Sequence, residues 1–123
     1  MDRQGVIDLA VQGTEIVKQG LKDFDADVTF EYSPVSFTGT ELDFAAEICT
    51  AVADTWGATP EQPMIVNLPS TVEMSTPNIY ADQIEYFIRN LPDRESAVIS
   101  LHTHNDRGTG VAASELGLMA GAE

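Results

Sequence analysis

Cysteine, basic residues and histidine are all scarce in this 123-residue sequence, and each scarcity excludes something. A lone cysteine, Cys49, rules out an intrachain disulfide framework, and a reducing cytoplasm fits it. It lies in the helix-like run 41–56 beside Ile48 and Val52, where a thiol reads as a small buried hydrophobe rather than a nucleophile. Six basic residues against twenty acidic ones give a formal net charge of −14, which repels polyanions and argues against nucleic acid or an anionic membrane as partner. No uncharged run is long enough to span a bilayer, and Met1-Asp2-Arg3-Gln4-Gly5 lacks the apolar core of a signal peptide. Glycine-rich phosphate loops, low-complexity segments and internal boundaries are missing too, so the length and the 43% apolar content indicate one globular domain over residues 1–123.

What is present is a regular alternation of helical and extended patterns. Ile7, Ala10, Thr14, Val17, Leu21 and Phe24 recur at threes and fours and predict an amphipathic helix over residues 5–24. Residues 28–33 read as a strand, with Pro34, Ser36 and Gly39 in the loop that follows. Leu42, Ala45, Ala46, Cys49, Val52 and Trp56 trace a second helix ending near Gly57, and residues 63–68 form the next strand. Thr76 as N-cap, with Pro77 at the first helical position, opens a third helix that Ile84, Phe87, Ile88 and Leu91 carry to Pro92. The apolar run 97–101 is a third strand, and the polar cluster Asn105-Asp106-Arg107-Gly108 turns the chain into a last helix. Strands starting near residues 28, 64 and 97 are 36 and 33 residues apart, a spacing that suits right-handed βα units in a parallel sheet. A (β/α)8 barrel of about 250 residues has a comparable period of roughly 30. Three such units fit, so the expected fold is α/β, a partial (β/α)8 TIM barrel, with an open flavodoxin-like sheet as the alternative.

The chemistry concentrates at the third strand. In an extended chain Ser100, His102 and His104 share one face while Ile99, Leu101 and Thr103 share the other. Two imidazoles on one face at a strand end are able to hold a divalent metal, although a catalytic metal usually takes three or more protein ligands. The plain alternative is a pair of ordinary polar residues at a strand end.

His102-Thr103-His104-Asn105-Asp106-Arg107-Gly108 resembles the His-x-His-Asn-Asp-x-Gly signature of the metal-dependent acyltransferases and lyases that include 2-isopropylmalate synthase, homocitrate synthase and hydroxymethylglutaryl-CoA lyase. The stretch from Leu68-Pro69-Ser70-Thr71-Val72-Glu73 through Thr76-Pro77-Asn78-Ile79-Tyr80-Ala81-Asp82 is similar to the first of these, since homocitrate enzymes typically carry glycine where Glu73 stands. Phe30-Glu31-Tyr32-Ser33-Pro34 and Phe37-Thr38-Gly39-Thr40-Glu41-Leu42-Asp43 extend the resemblance over essentially the whole chain.

The resemblance implies the fifth to seventh strands of a catalytic TIM barrel that joins acetyl-CoA to 3-methyl-2-oxobutanoate, giving 2-isopropylmalate and free CoA in leucine biosynthesis. It implies a divalent cation (magnesium, manganese or zinc) that grips the keto acid through its carboxylate and ketone oxygens. His102 and His104 become metal ligands, Ser33 and Thr71 contacts for the keto acid, and Asn105 and Asp106 outer groups that orient the imidazoles. Read without the resemblance, both hydroxyls are strand-capping or loop groups, and turn formation alone explains Asn105 and Asp106. Glu31 falls on the same face as Ser33 and points into the barrel, where a carboxylate needs a partner.

Departures from the family pattern carry equal weight. Val35 stands where the family has a pocket glutamate, and valine neither binds a metal-linked water nor transfers a proton. The family's first-strand Arg-Asp-Gly segment and eighth-strand asparagine have no counterparts here, nor has a leucine-binding regulatory domain. Asp93-Arg94-Glu95 offers suitable residue types but precedes the third strand, at the amino-terminal face, and reads as solvated charge. The expectation is a central fragment of such an enzyme, without full activity alone, from a family whose full-length members form homodimers. A non-catalytic metal-binding or oligomerising module, and one part of a split enzyme, are the competing readings.

Overall fold

In the computed structural model, which describes residues 1–123, helix α1 (Arg3–Gly20) begins where the Asp2 carboxylate accepts a hydrogen bond from the Gly5 amide at 2.9 Å. Ile7 and Thr14 are its buried residues. The helix stops four residues short of the expected end: Gly20 is a poor helix former, and Asp23 and Asp25 beyond it oppose the negative end of the helix dipole. Phe24, expected on the buried stripe, is therefore off the helix and exposed.

Strand β1 is Glu31–Tyr32, much shorter than the expected span 28–33. It pairs in parallel with β2 (Met64–Ser70), Glu31 opposite Ile65 and Tyr32 opposite Val66, with Phe30 adding one bond to the Ile65 amide at 2.8 Å. Continued backward, that register would set residues 28 and 29 against Gln62 and Pro63. Proline has no amide hydrogen, and Gln62 exchanges both backbone bonds with Thr59, so no ladder forms there. β2 runs two residues past its expected end. The Ile65 amide points to β1, so alternation turns the missing amide of Pro69 to that same side, where the ladder has already stopped.

Helix α2 (Leu42–Trp56) ends as expected, with Gly57 at φ 84° taking the left-handed conformation that a side chain resists. Helix α3 (Pro77–Asn90) starts at Pro77, but the Thr76 side chain makes no cap bond; its carbonyl accepts from the Ile79 and Tyr80 amides. Strand β3 (Ala97–Thr103) pairs with β2 along its whole length, from Met64 opposite Ala97 to Ser70 opposite Thr103, and α4 (Gly110–Met119) follows.

The sheet order β1-β2-β3 follows the chain, every neighbour is parallel, and α1, α2, α3 and α4 pack each on the next. Alternation sends Met64, Val66, Leu68 and Ile99 into a core with Val52, Ile84 and Phe87, all essentially buried. Each such side chain contributes about 1.5–3 kcal/mol. Phe30 stacks on Trp56 at 4.3 Å, and Phe37 meets Phe87 edge-on at 5.6 Å.

Arg94 differs from the solvated charge expected of it. It lies at the amino end of β3, donates to the Ala97 carbonyl and pairs with the Glu123 carboxylate at 2.9 Å. Glu123 in turn binds the backbone of Ile99 through both its amide and its side chain, covering part of the outer edge of β3. No helix is long and apolar enough to cross a membrane.

Candidate metal site at the strand ends

Side-chain packing sets which way the two histidines face. Leu101 fills the space left open by Gly117 on α4, and Thr103 shares a 2.7 Å hydrogen bond with Ser114 on the same helix. With Ile99, Leu101 and Thr103 turned to the helices, Ser100, His102 and His104 project from the other face at the carboxyl end of the sheet. Their rings lie side by side, centroids 5.1 Å apart and inclined by 40°. His102 is exposed and His104 half-buried. Beneath them the Tyr80 hydroxyl donates to the Leu68 carbonyl at 2.7 Å beside the His102 backbone, and burial raises its pKa well above the ordinary phenol value.

One level down, a polar row crosses the same face. Asn67, only 7% exposed, donates to the Ser33 hydroxyl at 2.8 Å and accepts from Ser100 at 3.4 Å. Ser33 is thus held toward the open face, one residue past β1. Thr71 lies one residue past β2, and its hydroxyl accepts from the Ser36 amide at 3.1 Å. Ser36 itself sits at φ 61°, an uncommon conformation for serine that joins the first and second carboxyl-end loops.

The Asn105 and Asp106 side chains make their hydrogen bonds to backbone amides rather than to the imidazoles. Asn105 Oδ1 accepts from the Gly110 amide at 3.0 Å, capping α4, and Asp106 Oδ2 accepts from the Glu73 amide at 3.1 Å. Both organise the loop, as their turn-forming chemistry allows. Glu73 is 8% exposed, and its two oxygens accept from the Arg107 amide and the Thr109 hydroxyl. The Thr109 hydroxyl, followed by the Arg107 amide, holds its carboxyl below the usual carboxylate range. The Arg107 guanidinium donates to the Ser75 carbonyl at 3.0 Å.

Glu31 is exposed on the open face and meets no cation. Val35 is 76% exposed in the loop after β1. The sequence pattern does not single out Asn67 or Thr109, marks Ser36 only as a loop residue, and gives Glu73 only as a family marker. A lone asparagine inside the apolar run 64–68 is the signal that would have marked Asn67, and the register then sets it opposite Ser100, whereas no local pattern marks Ser36 or Thr109 as part of the site.

A family model described as HMGL-like matches residues 1–123. The chain belongs to the HMGL-like family. Its three parallel strands with helices on one face are consistent with part of that family's TIM barrel. Among relatives of this HMGL-like chain, the 2-isopropylmalate synthase of Acetoanaerobium sticklandii is 62% identical over 98% of the chain and 22% of the relative. That of Rhodospirillum rubrum is 61% identical over 100% and 22%, and that of Pseudomonas entomophila 58% over 99% and 22%. The chain therefore spans about a fifth of the length of the curated relatives it matches, 22%.

Two adjacent imidazoles facing one way fit a divalent cation as part of its ligand set. No third His, Cys, Asp or Glu completes a cluster with them. The pair supplies two donors where a catalytic ion needs three or more.

Proposed function

We propose that this chain supplies the metal-binding and keto-acid-binding strand ends of a 2-isopropylmalate synthase, which condenses acetyl-CoA with 3-methyl-2-oxobutanoate to 2-isopropylmalate and CoA. The observation that carries this reading is the His102–His104 pair, 5.1 Å between ring centroids, in a chain 62% identical to a protein of that name. A divalent cation bound there would polarise the keto group for attack. His102 and His104 would hold it through ring nitrogens, and the pinning of Leu101 and Thr103 to α4 keeps both rings turned the same way. Thr71, at the rim, offers a hydroxyl to the keto acid carboxylate or orients its isopropyl group, and Ser33 does so from the level of Asn67. Asn105 and Asp106 serve the site by shaping the loop that follows His104.

Acyl transfer also needs a group that removes a proton from the acetyl methyl, and Val35 supplies none. With two metal ligands and valine at the pocket glutamate position, the chain is inactive alone; as one part of a split enzyme it would become active only when a polypeptide carrying the remaining strands also brings a base. A non-catalytic metal-binding module is the second reading, favoured by the exposed valine at the pocket glutamate position.

Calorimetric titration of the chain with zinc or manganese, paired with an assay of CoA thiol release, tests both readings. Stoichiometric binding lost in His102→Ala and His104→Ala is expected, with no thiol released until a polypeptide carrying the missing strands is co-expressed. Binding that never yields thiol release in that complex selects the non-catalytic module. A folded chain that takes up no metal overturns the site.

A further inference from the structure

The last register pair between β2 and β3 is Ser70 opposite Thr103. Thr71 and His104 each lie one residue beyond it, so no ladder bond sets the distance between them. What joins the two segments past that point is a cluster of bonds centred on Glu73. Glu73 is two residues after Thr71, and Asp106, which accepts from the Glu73 amide at 3.1 Å, is two residues after His104. The Glu73 carboxylate closes the ring from the other side by accepting from the Arg107 amide and the Thr109 hydroxyl. The Arg107 guanidinium adds a fourth bond, to Ser75 at 3.0 Å.

A carboxylate that is 8% exposed normally pairs with a cation; this one is spent on a backbone amide and a hydroxyl. Neither bond supports the sheet, whose ladder is complete without them. We infer that Glu73 is a positioning residue that fixes Thr71 relative to His104, and so sets the keto-acid hydroxyl against the metal-binding pair. The inference rests on the function proposed above, because only there do those two residues act on one substrate. Glu73 reaches no reacting atom itself.

The chemistry of the latch separates geometry from charge. In Glu73→Gln the amide oxygen accepts from the Arg107 amide, and the amide nitrogen donates to a Thr109 hydroxyl that has rotated to accept. In Glu73→Ala both bonds are lost. Arg94→Ala, at the opposite end of β3, is a control that weakens the fold away from the loops.

The 123-residue chain and these three variants are compared by amide resonances in the metal-free state and by absorbance titration with Co2+. Glu73→Ala is expected to move the Thr71 and His104 resonances together and to weaken Co2+ binding about tenfold, with Glu73→Gln within about twofold of the parent. Arg94→Ala lowers the melting temperature and changes neither readout. Unmoved Thr71 and His104 resonances in Glu73→Ala, or a loss of binding no larger than that of Arg94→Ala, overturn the inference. Should the parent chain take up no Co2+, the metal reading falls, and the metal-free resonances still decide whether Glu73 holds Thr71 to His104.

Discussion

Replacing Gly110 by alanine opposes two effects of different sign, and the structure says which wins. Gly110 opens α4, and by helix propensity an alanine there would stabilise the chain by up to about 1 kcal/mol. A Cβ at that position, however, would sit 2.7 Å from the His104 carbonyl oxygen and 3.2 Å from Asn105 Oδ1. The close atom belongs to the backbone, so no rotamer relieves it; reaching ordinary contact takes a shift of roughly 0.7 Å, and overpacking of that kind costs about 1–3 kcal/mol. The net expectation is a loss of up to about 2 kcal/mol, at roughly 4 °C in melting temperature per kcal/mol. Gly13 is the matched control, since it lies inside α1 with nothing within 4 Å of its would-be Cβ. Gly13→Ala should gain about 0.5–1 kcal/mol. Urea unfolding followed by circular dichroism measures both, and Co2+ titration should show weaker binding in Gly110→Ala only, because the displaced carbonyl belongs to His104. Two glycine variants that shift stability in the same direction, with binding unchanged, would refute the reasoning.

Burial pushes the Cys49 thiol from 9.0 up to about 12, so its contribution to stability is fully present below about pH 9 and lost as pH rises toward 12; native protein at pH 8 should resist a thiol reagent that reacts at once in urea. Cys49→Ser, which puts a hydroxyl at a site 1% exposed, should cost about 1–3 kcal/mol in urea unfolding. Tyr80→Phe strips the Leu68 carbonyl of its 2.7 Å donor and should cost about 1–1.5 kcal/mol, again read as a shift in urea midpoint. The Arg94 guanidinium holds the Glu123 carboxyl below the usual range, as Thr109 and Arg107 do for Glu73, so both contributions are present above the ordinary carboxylate pKa and fade as pH falls through the lowered values. Urea midpoints should stay level from about pH 7 to 5 and decline below, with a shallower decline in Arg94→Ala; an equal slope in that variant would remove Glu123 from the account.

Elements with a strong period were legible from residue types alone. The spacing of Leu42, Ala45, Cys49 and Val52 marks α2, Gly57 ends it, and the two-residue alternation from Ile99 onward puts Leu101 and Thr103 on α4 and the histidines opposite. Edge behaviour was not legible, because the length of β1 depends on what β2 offers: Pro63 and Gln62 remove the partners that residues 28 and 29 would need. The same holds for the loops. Asp106, Arg107 and Thr109 meet Glu73 across 33 to 36 residues of sequence, and a turn-forming cluster looks alike whether its side chains face an imidazole or another loop. Asn105 and Asp106 carry residue types that suit orienting histidines, and the hydrogen bonds they accept come from the Gly110 and Glu73 amides. Arg94 shows the converse, a charge in a polar cluster whose partner Glu123 lies 29 residues away.

The open face of the sheet changes character along the strands, and this separates what a neighbouring layer would stabilise from what the site needs. At the amino end Ile65 and Val98 on this face, Phe24 and Val28 before β1, and Phe30 and Trp56 from around the end of the sheet line a cavity of about 660 Å³. Parallel sheets are normally covered on both faces, and each 100 Å² of apolar surface removed from water there would contribute roughly 2.5 kcal/mol. Ser33, Asn67 and Ser100 satisfy one another in the middle row, and the carboxyl end carries the imidazole pair. The bonds that position this end run from Ser36 to Thr71 and from Glu73 to Asp106, Arg107 and Thr109, all inside these three βα units. Strands added on either side would therefore change how firmly the chain folds chiefly through the apolar end, while the loops that follow β2 and β3 are already tied together by contacts the chain makes with itself.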